Sequence, residues 1–374
     1  MKKILSFRND WKGLGKGDKV GGVGYYRIIK PLSHLVIGSS EWSAFDLGDV
    51  EVAYKRLLKG GVKWTFDEMI PNLIKDCDIV FMKNISHPGG LAWFAGAAKH
   101  YNKPLIVDMD DNYLAVDDLN PNRKYFQETD IAQITHKELW KAATAITVST
   151  EPLVEAYSQF NKNIHVLENY NDLNDWKFER KKHDRIVIGW AVSQTHEADF
   201  AIIKPVIERV WQKYGERIIF AICGGLPPRI AKKLPEKSYV VLSGTKTMHE
   251  YHQRLAEWGF DIGLAPLQEN TFNCGKSHGK WMEYANYRIP LVGSNFGPYS
   301  RVVEDGKTGF LVKTEDEWVD RISQLVESKE LREQIGQAAY DVVARDWQWK
   351  NNAYKWADVF DRYIGNGFSG TMGT

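Results

Sequence analysis

The 374-residue sequence is poor in cysteine, almost without net charge, and free of long apolar runs. Its three cysteines, Cys77, Cys223 and Cys274, form no CxxC pair and no even framework. That excludes a disulfide scaffold and fits a reducing compartment. The formal net charge is +1, so no global field argues for nucleic acid or a membrane surface. No stretch of about 18 apolar residues could span a bilayer. The opening MKKILSFRNDWKG is too short in apolar residues for a signal peptide and reads as a first strand. Neither an internal repeat nor a low-complexity tract is present. What remains is an ordinary globular protein, expected in the cytoplasm, whose length suggests about two domains.

The sequence does contain a strict alternation. KKILSF, CDIVFMKN, PLIVDMDD, AITVST and NIHVLEN read as apolar strands, separated by the helical patterns YYRIIKPLSHLV, GGLAWFAGAAKHYNK, ITHKELWKAATA and EPLVEAYSQF. A polar segment, residues 169–184, reads as a linker. The alternation then restarts with RIVIGWAV, RIIFAICG, YVVLSG and DIGLAPL, interleaved with helices, and ends in the amphipathic NNAYKWADVFDRYI and a frayed tail. Continuous apolar strands between helices imply parallel sheets covered on both faces. The fold class is therefore α/β, with two Rossmann-like doubly wound domains, 1–176 and 185–349. Ligands of such sheets bind at the carboxyl ends of the strands, here expected in a central cleft.

The most informative stretch is ENTFNCGKSHGKWMEYANYRIPLVGSNFGPY, residues 269–299. A helix from about Gly275 places Lys276, Lys280 and Glu283 on one stripe, with Trp281, Met282 and Ala285 on the opposite, packing side. Lysine in a first turn opposes the helix dipole, and a bound phosphate reverses that sign. Glu283 suits a vicinal diol such as a ribose, whose two hydroxyls donate to its oxygens. The alternative is a solvated lysine stripe. The flanking apolar strands and the second loop, NFGPY with Gly297 and Tyr299, favour a strand-end ligand site.

DIGLAPLQENTFNCGKSHGKWMEYANYRIPLVGSNFGPY resembles the donor region of retaining glycosyltransferases of family 4, which have the GT-B fold. It is similar in particular to the bacterial and phage branch with a K-S-x-x-K-x-x-E-Y helix, here Lys276, Ser277, Lys280, Glu283 and Tyr284. The resemblance extends to IVIGWAVSQTHEADF, VVEDGKTGFLV, VDMDD and ITVSTEPLVEAY. It implies a C-terminal helix, about 350–364, crossing back to the N-terminal domain. It assigns Glu283 to the nucleotide ribose. The family's first glutamate would fall at Gly275, where Asn273 or backbone amides near Cys274 would stand in for it.

Other segments carry expectations with alternatives. GLGKGDKVGGVGYYR is not a clean dinucleotide fingerprint. In the resembling fold, its Gly22 and Gly24 would face the donor, with Arg27 behind them on the acceptor side; otherwise this is a flexible loop. Asp108, Asp110 and Asp111 read as acceptor-binding or capping residues, then as structural ones, and last as a D-x-D metal site. Ser193, Thr195 and His196 are candidate donor ligands, or else a helix start with Asp199. His87 would contact the sugar or the acceptor hydroxyl, or be a loop histidine bonded to backbone. Arg229, Lys232, Lys233 and Lys237 form a solvated face, or a contact to DNA backbone.

Together these imply a retaining glycosyltransferase of the hexosyltransferase type, with Lys280, Glu283 and His87 catalytic. The donor is a nucleotide diphosphate sugar, a UDP-sugar foremost, with no cofactor and no divalent metal required. The acceptor is a hydroxymethylated pyrimidine of phage DNA, acting in the host cytoplasm, or a cell-envelope or surface glycan. A sugar-nucleotide epimerase or a non-catalytic nucleotide-sugar binder is the alternative of another class. Oligomeric state is left open.

Overall fold

A computed structural model describes residues 1–7, 21–48, 50–83, 88–118, 120, 123–126, 130–193, 196–224 and 232–367. The chain divides into two compact units. The first takes most of residues 1–170 together with the chain from Trp349 onward, and the second takes Asn171–Gln348. Each holds one six-stranded sheet, parallel throughout.

The first sheet comprises β1 (Lys2–Phe7), β2 (Trp42–Asp46), β3 (Ile79–Lys83), β4 (Leu105–Met109), β5 (Ala145–Val148) and β6 (Ile164–Val166). Their spatial order is β2-β1-β3-β4-β5-β6. The central strands β3 to β5 are buried almost residue for residue, as uninterrupted apolar runs require. β2 and the helices Val50–Lys59 and Phe66–Asp76 lie where sequence analysis assigns no element. The reason is local: β2 is an edge strand, mostly half-buried, and WSAFD shows neither an apolar run nor clean alternation.

Gly22 and Gly24 are not loop residues. They open a helix that passes through a π-helical turn, Tyr25–Ile29, and continues as Lys30–Gly38. The π turn carries Arg27 into the interior, where it is 0% exposed. Arg27 donates through Nε to Asp108 Oδ2 at 2.9 Å and through Nη2 to Asp108 Oδ1 at 2.6 Å. Its Nη1 donates to the Leu167 carbonyl and to Asn169 Oδ1. Thr147 Oγ1 donates to Asp108 Oδ1 at 2.6 Å. The guanidinium also lies 4.9 Å from the Trp356 ring centroid. Trp356 belongs to the C-terminal helix Trp349–Asp361, which packs on Lys30–Gly38 and sets Trp356 and Phe360 against Phe81 of β3. The expectation that Arg27 and Asp108 hold the acceptor is therefore corrected. Both are fully buried and form a structural ion pair at the carboxyl end of β4.

The second sheet comprises β7 (Ile186–Val192), β8 (Ile218–Gly224), β9 (Tyr239–Ser243), β10 (Ile262–Ala265), β11 (Leu291–Ser294) and β12 (Phe310–Val312). Its order, β12-β11-β10-β7-β8-β9, reverses direction between β7 and β10, so a topological switch point lies there. Alternate residues of β7 feed two cores. Ile188, Trp190 and Val192 join helices Phe200–Tyr214 and Glu315–Glu327, while Val187 and Ala191 join Trp281, Met282, Tyr284 and Leu255. Each large apolar side chain so buried contributes about 1.5–3 kcal/mol.

The segment read as a linker is bonded down onto the second unit. Asn171 N–H donates to the Trp347 carbonyl at 2.7 Å, and its side chain bonds Asn286. The Trp176 indole stacks on His252 with centroids 3.9 Å apart.

Removing one member of the buried pair, as in Arg27→Met, is expected to cost about 3–5 kcal/mol, because it leaves Asp108 charged and buried. Adding Asp108→Leu should recover a large part of that loss. Hydrogen exchange of the β3 and β4 amides reports it, and an unchanged exchange rate in Arg27→Met would contradict the structural role.

Candidate active site

The loops after β7, β10 and β11 meet at the switch-point edge of the second sheet. The stretch 269–299 is not one helix with a loop before it. Thr271–Cys274 forms a short helix capped by Asn270, whose side chain accepts from Asn273 N–H at 2.7 Å. A turn follows, and the next helix runs only over Gly279–Ala285, with His278 as its N-cap residue. Arg301 fixes the turn by donating to the carbonyls of Cys274 at 3.0 Å and Lys276 at 2.6 Å. Lys276 therefore precedes the helix, and the expected start at Gly275 is corrected to Gly279. A seven-residue helix offers little dipole, so any attraction for an anion rests on side-chain charge.

Trp281, Met282 and Ala285 form the packing face, as the periodicity predicts. Trp281 Nε1 donates to the Thr308 carbonyl at 2.9 Å. Tyr284, three residues after Trp281, is also buried, and its hydroxyl bridges the switch point by donating to the Leu264 carbonyl and accepting from Ala191 N–H. Gly263 is required beneath that ring: a Cβ there would lie 2.4 Å from Tyr284. Gly297 has φ +55°, and a Cβ on it would come within 3.0 Å of the Asn273 carbonyl, so the β10 and β11 loops touch backbone to backbone.

On the polar stripe, Glu283 Oε2 accepts from the Tyr251 hydroxyl at 2.8 Å and lies 3.5 Å from Lys280 Nζ. Lys280 also lies over the Tyr251 ring. Lys276 sits 5.0 Å above the Phe272 ring, and no carboxylate among the described residues pairs with it. His196, after β7, bonds Asp199 through Nδ1 at 2.7 Å. Burial, then the charges of Lys276 and Lys280, bring the His196 imidazole down to about 4, although Asp199 acts in the other direction. Tyr299 is buried, and burial with the nearby Asp199 and Glu283 charges holds its phenol well above the ordinary value. One electrostatic neighbourhood thus contains Lys276, Lys280, His196, Asp199, Glu283 and Tyr299.

Asn273 is nearly buried, and its amide donates to the Gln268 carbonyl, holding the β10 loop. Ser193 is exposed and Ser277 half-buried. Thr195, His87 and Arg229 lie outside the described residues. In the first unit, Asp110 Oδ1 accepts from Tyr113, and the Asp111 carbonyl accepts from Tyr157 at 2.8 Å. The described residues include no His, Cys, Asp and Glu cluster that could hold a metal ion. No described helix is long and apolar enough to cross a membrane. Tyr251 and Arg301 were not anticipated; they come from outside the 269–299 stretch, and nothing in their own segments marks them.

Comparison with known proteins bears on this site. Residues 280–342 match the family model described as Glycosyl transferases group 1. Over 75 residues the chain is 33% identical to a D-inositol 3-phosphate glycosyltransferase of Nocardioides sp. (strain ATCC BAA-499 / JS614), covering 20% of this chain and 16% of that relative. The structure of Anabaena Alr3699/HepE, solved with UDP and glucose, is similar with a TM-score of 0.65 at 13% identity, over 97% of this chain and 100% of the other. Sucrose-phosphate synthase from Thermosynechococcus elongatus gives a TM-score of 0.64 at 11% identity, over 98% and 100%. The fold is GT-B, and the matches support the expected glycosyl-transferring class of enzyme.

His278 carries a consequence for acid stability. It is 3% exposed, its Nε2 has no hydrogen-bond partner among the described residues, and it packs on Trp347 with centroids 4.0 Å apart. Burial, then Arg301, pushes its imidazole down to about 3. The unfolded chain takes up a proton near the ordinary value of 6.5, which the folded chain refuses until far lower pH. The stability of the second unit is expected to be full above about pH 6.5 and to fall as the pH drops toward about 3. His278→Gln should flatten that slope in denaturant titrations between about pH 7 and pH 5.

Proposed function

We propose that this protein is a glycosyltransferase that uses a nucleoside-diphosphate sugar bound at the switch-point edge of the second unit. One observation carries the reading: Lys276, which no described carboxylate pairs, and Lys280 stand beside His196 where Asp199 ties the loop after β7 to the loop after β10, so positive charge gathers there. An anion placed there relieves the repulsion and gains charge-assisted hydrogen bonds. Glu283, oriented by Tyr251, is the acceptor for the ribose hydroxyls. A UDP-sugar is the first donor to test, because the similar HepE structure holds UDP and glucose.

In this reading the bond between the anomeric carbon and the diphosphate oxygen breaks, and its electron pair stays with the diphosphate. Lys276 and Lys280 stabilise the charge that develops there. The acceptor hydroxyl oxygen bonds to the anomeric carbon, and its proton passes to the departing diphosphate oxygen. Retention of anomeric configuration follows from the resemblance to family 4, and product NMR checks it. The acceptor supplies a hydroxyl; a hydroxymethylated pyrimidine of phage DNA and a cell-envelope or surface glycan are the two candidates to test. Because one fold serves transfer and epimerisation alike, product analysis separates them.

The test is a thermal-shift and mass-spectrometric screen of UDP-, GDP-, ADP- and CMP-sugars, with and without DNA containing 5-hydroxymethylpyrimidines. A sugar-sized mass gain on the DNA identifies donor and acceptor together. An epimerised donor without an acceptor would replace the transferase reading. Lys280→Met is expected to lower turnover about 10²–10³-fold, the range of one lost charge-stabilising group. Glu283→Gln should raise the donor KM more than it lowers kcat. Neither side chain lies on the Trp281 face, so both variants should fold. Wild-type turnover by the double variant would remove the site assignment.

A further inference from the structure

Asp199 has no place in the donor site just described, yet both of its carboxylate oxygens are bonded at the switch point. It precedes helix Phe200–Tyr214, where a capping role would be expected, but its side chain makes no capping bond. It turns the other way. Oδ2 meets His196 Nδ1 at 2.7 Å, and Oδ1 accepts from the backbone N–H of Gln268 at 2.7 Å. Gln268 Nε2 returns a bond to the Ala198 carbonyl at 3.0 Å, and the Gln268 carbonyl accepts from Asn273 at 2.9 Å. Asp199 is 2% exposed. One buried carboxylate thus ties the loop after β7 to the loop after β10, and the latter leads into the turn that carries Lys276.

We propose that Asp199 is a positioning residue for the donor diphosphate, which fixes the tautomer and direction of His196 so that its Nε2 is presented to the bound phosphate. The proposal rests on the nucleotide-sugar reading above. A carboxylate accepts and does not donate, so the His196 proton must sit on Nδ1. That leaves Nε2, the ring nitrogen not bonded to Asp199, unprotonated on a side chain still 21% exposed. The charged groups facing this ring are Asp199 from its own loop and Lys276 and Lys280 from the β10 side. Tyr299, near Asp199, stays neutral.

Without a donor, burial and then the two lysines keep His196 unprotonated. A diphosphate seated on them cancels that field, and Asp199 behind the ring then favours the imidazolium. His196 takes up a proton from solvent and donates it through Nε2 to a phosphate oxygen. Donor binding is thereby coupled to uptake of one proton, with Asp199 as the group that makes the uptake favourable.

The experiment has two arms on the full chain. Long-range ¹⁵N NMR of histidine-labelled protein, with His196→Gln to assign the signal, reads the tautomer at about pH 7.5 without any ligand. The wild type is expected to show Nδ1–H. Asp199→Asn, whose amide can donate to the ring while its oxygen keeps the Gln268 bond, is expected to show Nε2–H. A wild-type Nε2–H tautomer would overturn the proposal, and this measurement stands even where the variant does not fold. The second arm measures UDP-glucose affinity by calorimetry; its diphosphate does not itself titrate in this range. From about pH 7.5 to about pH 5.5 the wild-type affinity should rise by about tenfold, within the limit of one decade per pH unit for one proton. Asp199→Asn should be flat. Equal pH profiles in wild type and variant would overturn the proposal and leave the transferase reading standing. No binding of UDP-, GDP- or ADP-glucose would instead remove that reading, while the tautomer result still decides whether Asp199 orients His196.

Discussion

Every strand in the second unit runs the same way, and both faces of its sheet are covered from β12 to β8, with only the edge strand β9 open. That single constraint organises the rest. Parallel strands deliver all their carboxyl-end loops to one edge, and the reversal of strand order between β7 and β10 parts two of those loops over a gap. Helices must cover both faces, so helix Gly279–Ala285 is pinned by Trp281 and Tyr284 and cannot rotate its polar stripe elsewhere. The direction of Lys280 and Glu283 follows from where Trp281 has to go.

The electrostatics of the edge are built on that frame. Two lysines and a histidine in one neighbourhood are unfavourable without a counter-charge. The protein relieves this only in part, through the long Lys280–Glu283 contact and through Asp199. Glu283 is itself turned toward Tyr251. A residual positive region is thereby preserved in a semi-buried setting, where the effective dielectric is low and a bound anion gains more than it would in water. The first unit does the opposite with its charges. Arg27 and Asp108 saturate each other, with Thr147, Leu167 and Asn169 taking up the remaining capacity. The resulting pair holds a helix, a strand end and the return helix together.

Much of the fold was legible because it depends on short-range pattern. Central strands such as VFMK and LIVDM announce themselves by uninterrupted burial, and the amphipathic period placed Trp281, Met282 and Ala285 on the packing side correctly. β2 was missed since an edge strand needs no such pattern. Arg27 was misread for a related reason. An arginine just after a glycine-rich stretch has the same local appearance whether it faces a ligand or a carboxylate 81 residues away. The helix start was misplaced because what stops the helix short of Gly275 is Arg301, a residue beyond the next strand.

By itself the sequence determined the alternation of strand and helix, hence two parallel sheets, and the chemical types gathered between Glu269 and Tyr299. Periodicity and composition carry that information, and both are local. Tertiary structure decided which charges neutralise one another and which are left to act. It made Arg27 and Asp108 a closed pair, brought Tyr251 to Glu283, and set Asp199 between His196 and the Gln268 backbone. Those outcomes depend on distances between residues far apart in the chain. Such distances are fixed only when helices pack on both faces of a sheet whose strand order the sequence does not spell out.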